Sequence, residues 1–271
     1  MPVFGSFNRL GLWTLYMKEV RRFFKVQTQT IWAPAMTTLL YLMIFTVAMG
    51  GSSSGGGGRE VLGVPFASFI APGLIVMGMV SNAFANTSFN FLAGKIQGTI
   101  VDYLMPPLSN AELMIGLIGA AVTRAVLVGL AIALAMLFWP GVSLSVAHPW
   151  AIVWFGVIGS TLLAIVGLIT SLWAEKFDHA AMVSNFVITP LTMLSGTFYV
   201  IDNLSPAFQA VSRVNPIFYI ISGFRFGFLG QSDIGATNAA VAGGALYLGL
   251  LTLAMGWVLY ALLKSGWKLK S

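Results

Sequence analysis

The groups able to move protons or hold a metal are few in this chain, and they are poorly placed for either task. Eight carboxylates, two histidines and no cysteine occur among 271 residues. Glu19, Glu60, Asp102, Glu112, Glu175, Asp178, Asp202 and Asp233 all lie outside the long apolar runs or at their edges. Transporters coupled to protons or sodium keep carboxylates at membrane depth as relays or ligands. An ion-coupled secondary transporter or channel is therefore disfavoured. His148 and His179 stand far apart at segment ends, which suits satisfied interfacial side chains better than a catalytic or metal pair. An integral membrane enzyme lacks the cluster of His, Asp and Glu at one depth that it would need. Gly50 to Gly58 is a Gly/Ser tract that reads as a flexible linker. It is not a phosphate loop, because no Gly-Lys-Ser/Thr follows it, and no Walker-type motif occurs elsewhere. No catalytic residue, metal ligand or ATP site is assigned to this chain.

Two arginines remain. Arg124 is the one cation inside a long hydrophobic stretch, Leu113 to Trp139. At the bilayer centre it would cost at least about 2.5–3.5 kcal/mol. The stretch exceeds a bilayer crossing, so Arg124 is expected to snorkel to the inner interface; the alternative is a substrate contact. Arg225 lies in the short apolar run Ile217 to Leu229, beside Phe218, Tyr219, Phe224, Phe226 and Phe228. Such a run is too short to cross and reads as re-entrant or interfacial. With Phe198, Tyr199 and Phe208, the residues Phe224 and Arg225 are candidates for an apolar outer gate that suits an amphipathic or lipid-linked cargo. The same rings would also serve as an anchor at the outer surface. Lysine would replace Arg225 in an anchor, but not where a guanidinium is fixed to carbonyls or a carboxylate.

The elements that must position these groups are membrane spans. The chain is 58% hydrophobic and only 8% charged, against about 25% charged in soluble domains. Six runs reach the roughly 20 residues that a crossing needs: Ile31 to Met49, Phe66 to Ala85, Leu113 to Trp139, Ala151 to Leu172, Ala180 to Val200 and Ala239 to Leu263. Backbone in lipid must satisfy itself, so these are helices. Arg9, Lys18, Arg21, Arg22, Lys25, Lys95, Lys176, Lys264, Lys268 and Lys270 fall on one side, and Arg59, Arg213 and Arg225 on the other. This asymmetry places both termini in the cytoplasm. It also explains the net charge of +6 without nucleic acid. A cleavable signal peptide is not expected, since the first apolar run begins late and is too long. Phe7, Leu10, Trp13, Met17, Val20 and Phe24 recur at helical steps, with Lys18, Arg21, Arg22 and Lys25 mostly on another face. That pattern predicts an amphipathic helix at the cytoplasmic interface, with Lys18, Glu19, Arg21 and Arg22 near lipid headgroups.

Between the second and third spans, Pro106 and Pro107 interrupt any helix, and Ser109 with Glu112 forms a capping box that starts a new one. On physics alone the segment is either a rigid elbow that passes force to a partner or an ordinary loop. Its residues Lys95, Gly98, Thr99, Ile100, Leu104, Pro107, Ser109 and Glu112 resemble the coupling segment of ABC-2 type transporter permeases. The later series Pro190, Leu194, Ser195, Gly196, Phe198, Leu204, Ser205, Pro206, Asn215, Pro216, Tyr219 and Arg225 resembles that family too. The Gly/Ser-rich first outer loop departs from the pattern.

The resemblance implies an all-α integral membrane protein with six transmembrane helices, an N-terminal interface helix, a cytoplasmic coupling helix and extracytoplasmic re-entrant helices between spans five and six. It forms a single domain over 1–271: an interface helix at 1–30, a six-helix membrane domain at 31–263 and a cytoplasmic tail at 264–271. It further implies a homodimer of permeases in a bacterial inner membrane with two cytoplasmic ATPase subunits, which bind the ATP and Mg. Lys95, Gly98, Thr99, Leu104, Pro107, Ser109 and Glu112 would couple them. The expected role is export of a lipid, glycolipid, polysaccharide or drug. Small residues at four-residue steps, Gly156, Ser160 and Ala164 in the fourth span and Gly116 with Ala120 in the third, suit close helix packing within or between subunits.

Overall fold

A computed structural model describes residues 7–49, 60–235 and 237–268; the whole Gly/Ser tract, Gly50 to Gly58, and the last residues of the tail lie outside them. The chain is helical nearly throughout. Helix α1 covers Arg9–Lys25, α2 Ala33–Met49, α3 Phe66–Ile96, α4 Val101–Leu104, α5 Asn110–Leu137 and α6 Pro149–Trp173. Next come α7 (Phe177–Val183), α8 (Thr189–Met193), α9 (Pro206–Val214), α10 (Pro216–Leu229) and α11 (Asn238–Ser265). A two-stranded hairpin, Glu60–Val61 with Val64–Pro65, turns on Leu62 and Gly63 at φ 53° and 72°, the positive values that a tight hairpin turn demands.

Among the described residues, five helices are long and apolar enough to cross a membrane: Thr28–Ala48, Phe66–Ile96, Asn110–Leu137, Pro149–Trp173 and Asn238–Ser265. The run expected to span from Ala180 to Val200 takes a different form. It is helical from Phe177 only to Met193, through α7, a widened turn at Ser184–Ile188, and α8. At 1.5 Å per residue that is about 25 Å, short of the roughly 30 Å hydrocarbon core. Gly196 then turns the backbone at φ 73°. A second widened turn, Thr28–Trp32, precedes α2. Both have one cause: each surrounds the residue four before a proline, Thr30 before Pro34 and Phe186 before Pro190. A proline ring strikes that carbonyl in a regular helix, and widening the turn relieves the clash.

Helices α3 and α6 form the centre and pack more extensively than any other pair. Glycine makes this possible. A Cβ on Gly167 would stand 2.2 Å from the Thr87 hydroxyl and 2.6 Å from the Phe84 carbonyl. Helix α10, buried along most of its length, lies on α6 by the same means: Gly223 faces the Phe155 ring and Gly159 faces Ile220. Helix α3 runs on past the expected end at Ala85 to Ile96, so Lys95 is helical.

Helix α1 turns Glu19 inward, away from the headgroup setting expected for it. It packs against the first turns of α5: Leu15 lies over Gly116, and the Tyr16 hydroxyl meets that of Thr123 at 2.9 Å. Its buried face is Leu15, Glu19 and Phe23, while Phe7, Leu10, Trp13 and Phe24 are exposed. An amphipathic pattern names two faces but not which of them meets the protein. Here the narrower face, with one carboxylate in it, packs inward.

The packing at Gly167 yields a direct test. Gly167→Ala should lower the stability of the purified chain by roughly 1–3 kcal/mol, the range for overpacking. Gly243→Ala, where nothing lies within 4 Å of the added atom, should leave it unchanged or slightly raise it. Thermal unfolding in detergent measures both.

Candidate functional site

The candidate residues fall into two groups at opposite ends of the α3 helix. At the elbow end, Gly98 ends α3 in the left-handed conformation, φ 73°, where glycine alone carries no steric penalty. The Ile100 amide donates back to the Gly94 carbonyl at 2.9 Å, and the Thr99 hydroxyl reaches the same oxygen at 3.5 Å. Helix α4 follows, ending at Leu104, and Pro106 and Pro107 carry the chain to Ser109.

The capping box forms: the Glu112 amide donates to Ser109 Oγ at 3.3 Å, and Ser109 N–H donates to Glu112 Oε2 at 2.6 Å. Glu112 does more than the sequence pattern shows. Its Oε1 also accepts from the backbone N–H of Asn8, which caps α1 through its side chain on Gly11 N at 2.9 Å. Asn8 Nδ2 further donates to the Pro107 carbonyl at 3.3 Å. One nearly buried carboxylate thus sits at two helix N-termini, the favoured place for a negative charge.

Lys95 points away from the elbow. Its ammonium donates to the carbonyls of Leu172 at 2.8 Å and Ala174 at 2.9 Å, closing the end of α6 as a cation suits a helix C-terminus. The interface-helix residues divide in the same way. Arg21 is exposed, Lys18 Nζ lies 4.1 Å from the centre of the Tyr103 ring, and Glu19 is buried, paired to Arg22 and accepting from the Tyr103 hydroxyl at 2.8 Å. Burial, chiefly, with the Glu19 carboxylate beside it, pushes the Tyr103 phenol up to about 12, so it remains a neutral donor.

At the other end, Arg225 has a fully buried side chain. Nε donates to the Phe69 carbonyl at 3.2 Å, Nη2 to the Gly196 and Thr197 carbonyls at 2.8 and 3.3 Å, and Nη1 to Asp233 Oδ2 at 3.1 Å. The guanidinium also lies 3.9 Å from the centre of the Phe69 ring. Burial pushes the Asp233 carboxyl above the usual range, and Arg225 opposes that shift. This is the arrangement that excludes lysine. The gate candidates do not share one surface: Phe224 is packed against Gly156, Phe198 stacks on Phe45 at 3.9 Å, Tyr199 donates to the Met193 carbonyl, and Phe208 stands 55% exposed on α9.

A third group was missed by the sequence reading. Asn82, Asn86 and Asn90 form a ladder at four-residue steps along α3. Arg124 donates to Asn82 Oδ1 and Asn86 Oδ1, each at 3.2 Å, and Asn90 Nδ2 donates to Asn86 Oδ1 at 2.6 Å. Arg124 is about 21 Å along α5 from Asn110, next to the Thr123 that meets Tyr16 of α1, and asparagine oxygens meet its charge. The four-residue spacing of amides inside an apolar run was the available signal.

Arg225→Met strands the buried Asp233 and should cost about 3–5 kcal/mol. Arg225→Lys keeps the charge but loses the fork and should cost less. Glu112→Ala removes a cap from two helices and should cost about 0.5–2 kcal/mol per cap. Unfolding midpoints of the purified variants, ranked Met below Lys below wild type at position 225, check the tether.

A family model described as ABC-2 type transporter matches residues 11–229, α1 through α10. Among curated proteins, the chain is 36% identical over 226 residues to the inner membrane transport permease YadH of Escherichia coli K12, covering 83% of this chain and 85% of that one. It is 26% identical to nodulation protein J of Rhizobium leguminosarum bv. viciae, covering 92% and 90%, and 27% identical to the Neorhizobium galegae protein of that name, covering 84% and 83%. Helices sized for a membrane, an elbow fixed between the second and third of the long ones, and these likenesses across most of the chain agree: the chain belongs to the ABC-2 type transporter family of membrane permeases.

Proposed function

We propose that two copies of this chain form the membrane-spanning part of an ATP-driven exporter in a bacterial inner membrane, each seated through its elbow on a cytoplasmic ATPase subunit that holds the ATP and Mg. The elbow carries this reading. It exposes apolar Ile96, Val101 and, at 77%, Met105 in a short segment held from behind by Glu112, Glu19 and Gly98. Exposed apolar side chains on a rigid mount mark a surface made for a partner. The excess of Lys and Arg on the elbow side supports cytoplasmic termini. In this topology the broken helix from Phe177 to Met193 is the fifth of six crossings, and α9 and α10 re-enter from the outer side.

The two lateral grooves support the face on which the copies meet. A groove of about 350 Å³ between α2 and α3 is lined by Gln29, Thr37, Thr38, Tyr41, Ser81 and Asn82 among apolar neighbours. Its Thr37 and Thr38 hydroxyls bond carbonyls of their own helix, and Asn82 bonds the Gly78 carbonyl and Arg124. Gln29, Tyr41 and Ser81 add polar atoms that lipid cannot satisfy, so this face suits a second copy and a path for the polar part of a cargo. A groove of about 610 Å³ between α5, α6 and α11 is apolar, and its Thr161 and Thr252 hydroxyls bond carbonyls of their own helices. It suits lipid. The mix of polar and apolar side chains along the groove between α2 and α3 suits an amphipathic or lipid-linked cargo.

Purification of the tagged chain from native membranes in mild detergent tests the reading. An ABC ATPase should accompany the wild type, and Met105→Glu should lose most of it at unchanged chain yield. Recovery of the chain without any ATPase would remove the reading.

A further inference from the structure

Glu19 is a buried carboxylate for which coupling through the elbow alone has no use. It lies on the inward face of α1, 3% exposed, inside the half of the molecule that must move with the ATPase. A buried charge is a liability unless its partners hold it in place. They belong to two elements. Arg22 of α1 forms an ion pair with it, and Tyr103 of α4 donates to it at 2.8 Å. Beyond them a gap of about 10 Å³ is bounded by Glu19, Tyr103, Asn86, Thr87 and Asn90, room for one water with several polar partners. The far wall of that gap is the asparagine ladder of α3, whose Asn82 also lines the groove between α2 and α3.

The geometry points to Glu19 and Tyr103 as a latch: positioning residues that make the elbow and α1 move as one body. The inference rests on the permease reading and deepens it. The elbow is joined to α1 at two places, through Glu112 and Pro107 at Asn8 and through Tyr103 at Glu19, roughly 16 Å apart along the helix. Two attachments fix an orientation where one leaves a hinge. Phe91 packs beside Tyr103, ring centres 6.0 Å apart, so the ring stays in place when its hydroxyl is removed. Tyr103→Phe therefore removes the hydroxyl's bonds with Glu19 and Arg22 and keeps the ring beneath Lys18.

The absence of cysteine allows spin labels at Asp102 in α4 and Arg21 in α1, both exposed, in the complex with the co-purified ATPase. A second pair, Asp102 with Phe138, reports elbow movement against the far end of α5. In wild type, ATP with vanadate should shift the second distance and leave the first unchanged. In Tyr103→Phe the first distance should match wild type without nucleotide and then shift or broaden with it. Adding Glu19→Gln to Tyr103→Phe should enlarge that change little, because both remove one link. A first distance that changes in wild type, or a Tyr103→Phe complex that behaves as wild type, overturns the latch. Absence of any nucleotide response in either wild-type pair removes the permease reading and the latch with it.

Discussion

A guanidinium with no exposed surface fixes whatever surrounds it. Arg225 is held by three carbonyls, one carboxylate and one aromatic face, which come from the first turn of α3, the turn at Gly196 and the link after α10. Arginine can do this because its five donors lie in a planar fork, and at this depth no water replaces a missing partner. The short helix α10, the stop after α8 and the outer end of the central helix are therefore one construction. Gly73 and Gly196 leave room for it, since a Cβ at Gly73 would lie 3.3 Å from Arg225 Nη2 and one at Gly196 would lie 3.4 Å from Asp233 Oδ2.

The same rule governs the other end of α3, with the signs reversed. There the buried groups are carboxylates, and they take their partners from helix N-termini, a phenol and an arginine. Glu112 holds the starts of α1 and α5 together, and Glu19 holds the middle of α1 to the elbow. Lys95 ties the end of α3 to the end of α6. Between the two ends, amides at Asn82 and Asn86 meet Arg124. Polar side chains are scarce in this chain, and many of those that are buried join elements far apart in sequence.

Local features were legible in the sequence and distant pairings were not. The capping box of Ser109 and Glu112 is a four-residue pattern, and it appears where the pattern put it. The sequence leaves Arg225 between a surface anchor and a fixed guanidinium; the partners that decide for the second, Phe69, Gly196 and Asp233, lie up to 156 residues away. Glu19 was read as one charge among the cations of α1, because periodicity does not say which face packs. The span expected over Ala180 to Val200 shows the limit of hydropathy: the residues are apolar to the end, yet Pro190 and Gly196 set the backbone. In the single chain Lys95, Gly98, Thr99 and Leu104 close helices.

Force transmission from ATP through this chain is the central claim, and the rate of ATP hydrolysis in vesicles measures it most directly. The co-purified ATPase would be assayed alone, with the wild-type chain, and with the chain carrying Glu112→Ala. The account predicts hydrolysis that rises when the wild-type chain is present and falls back toward the rate of the ATPase alone with Glu112→Ala, at equal complex recovery. Hydrolysis indifferent to the chain, or equally stimulated by both forms, would contradict it.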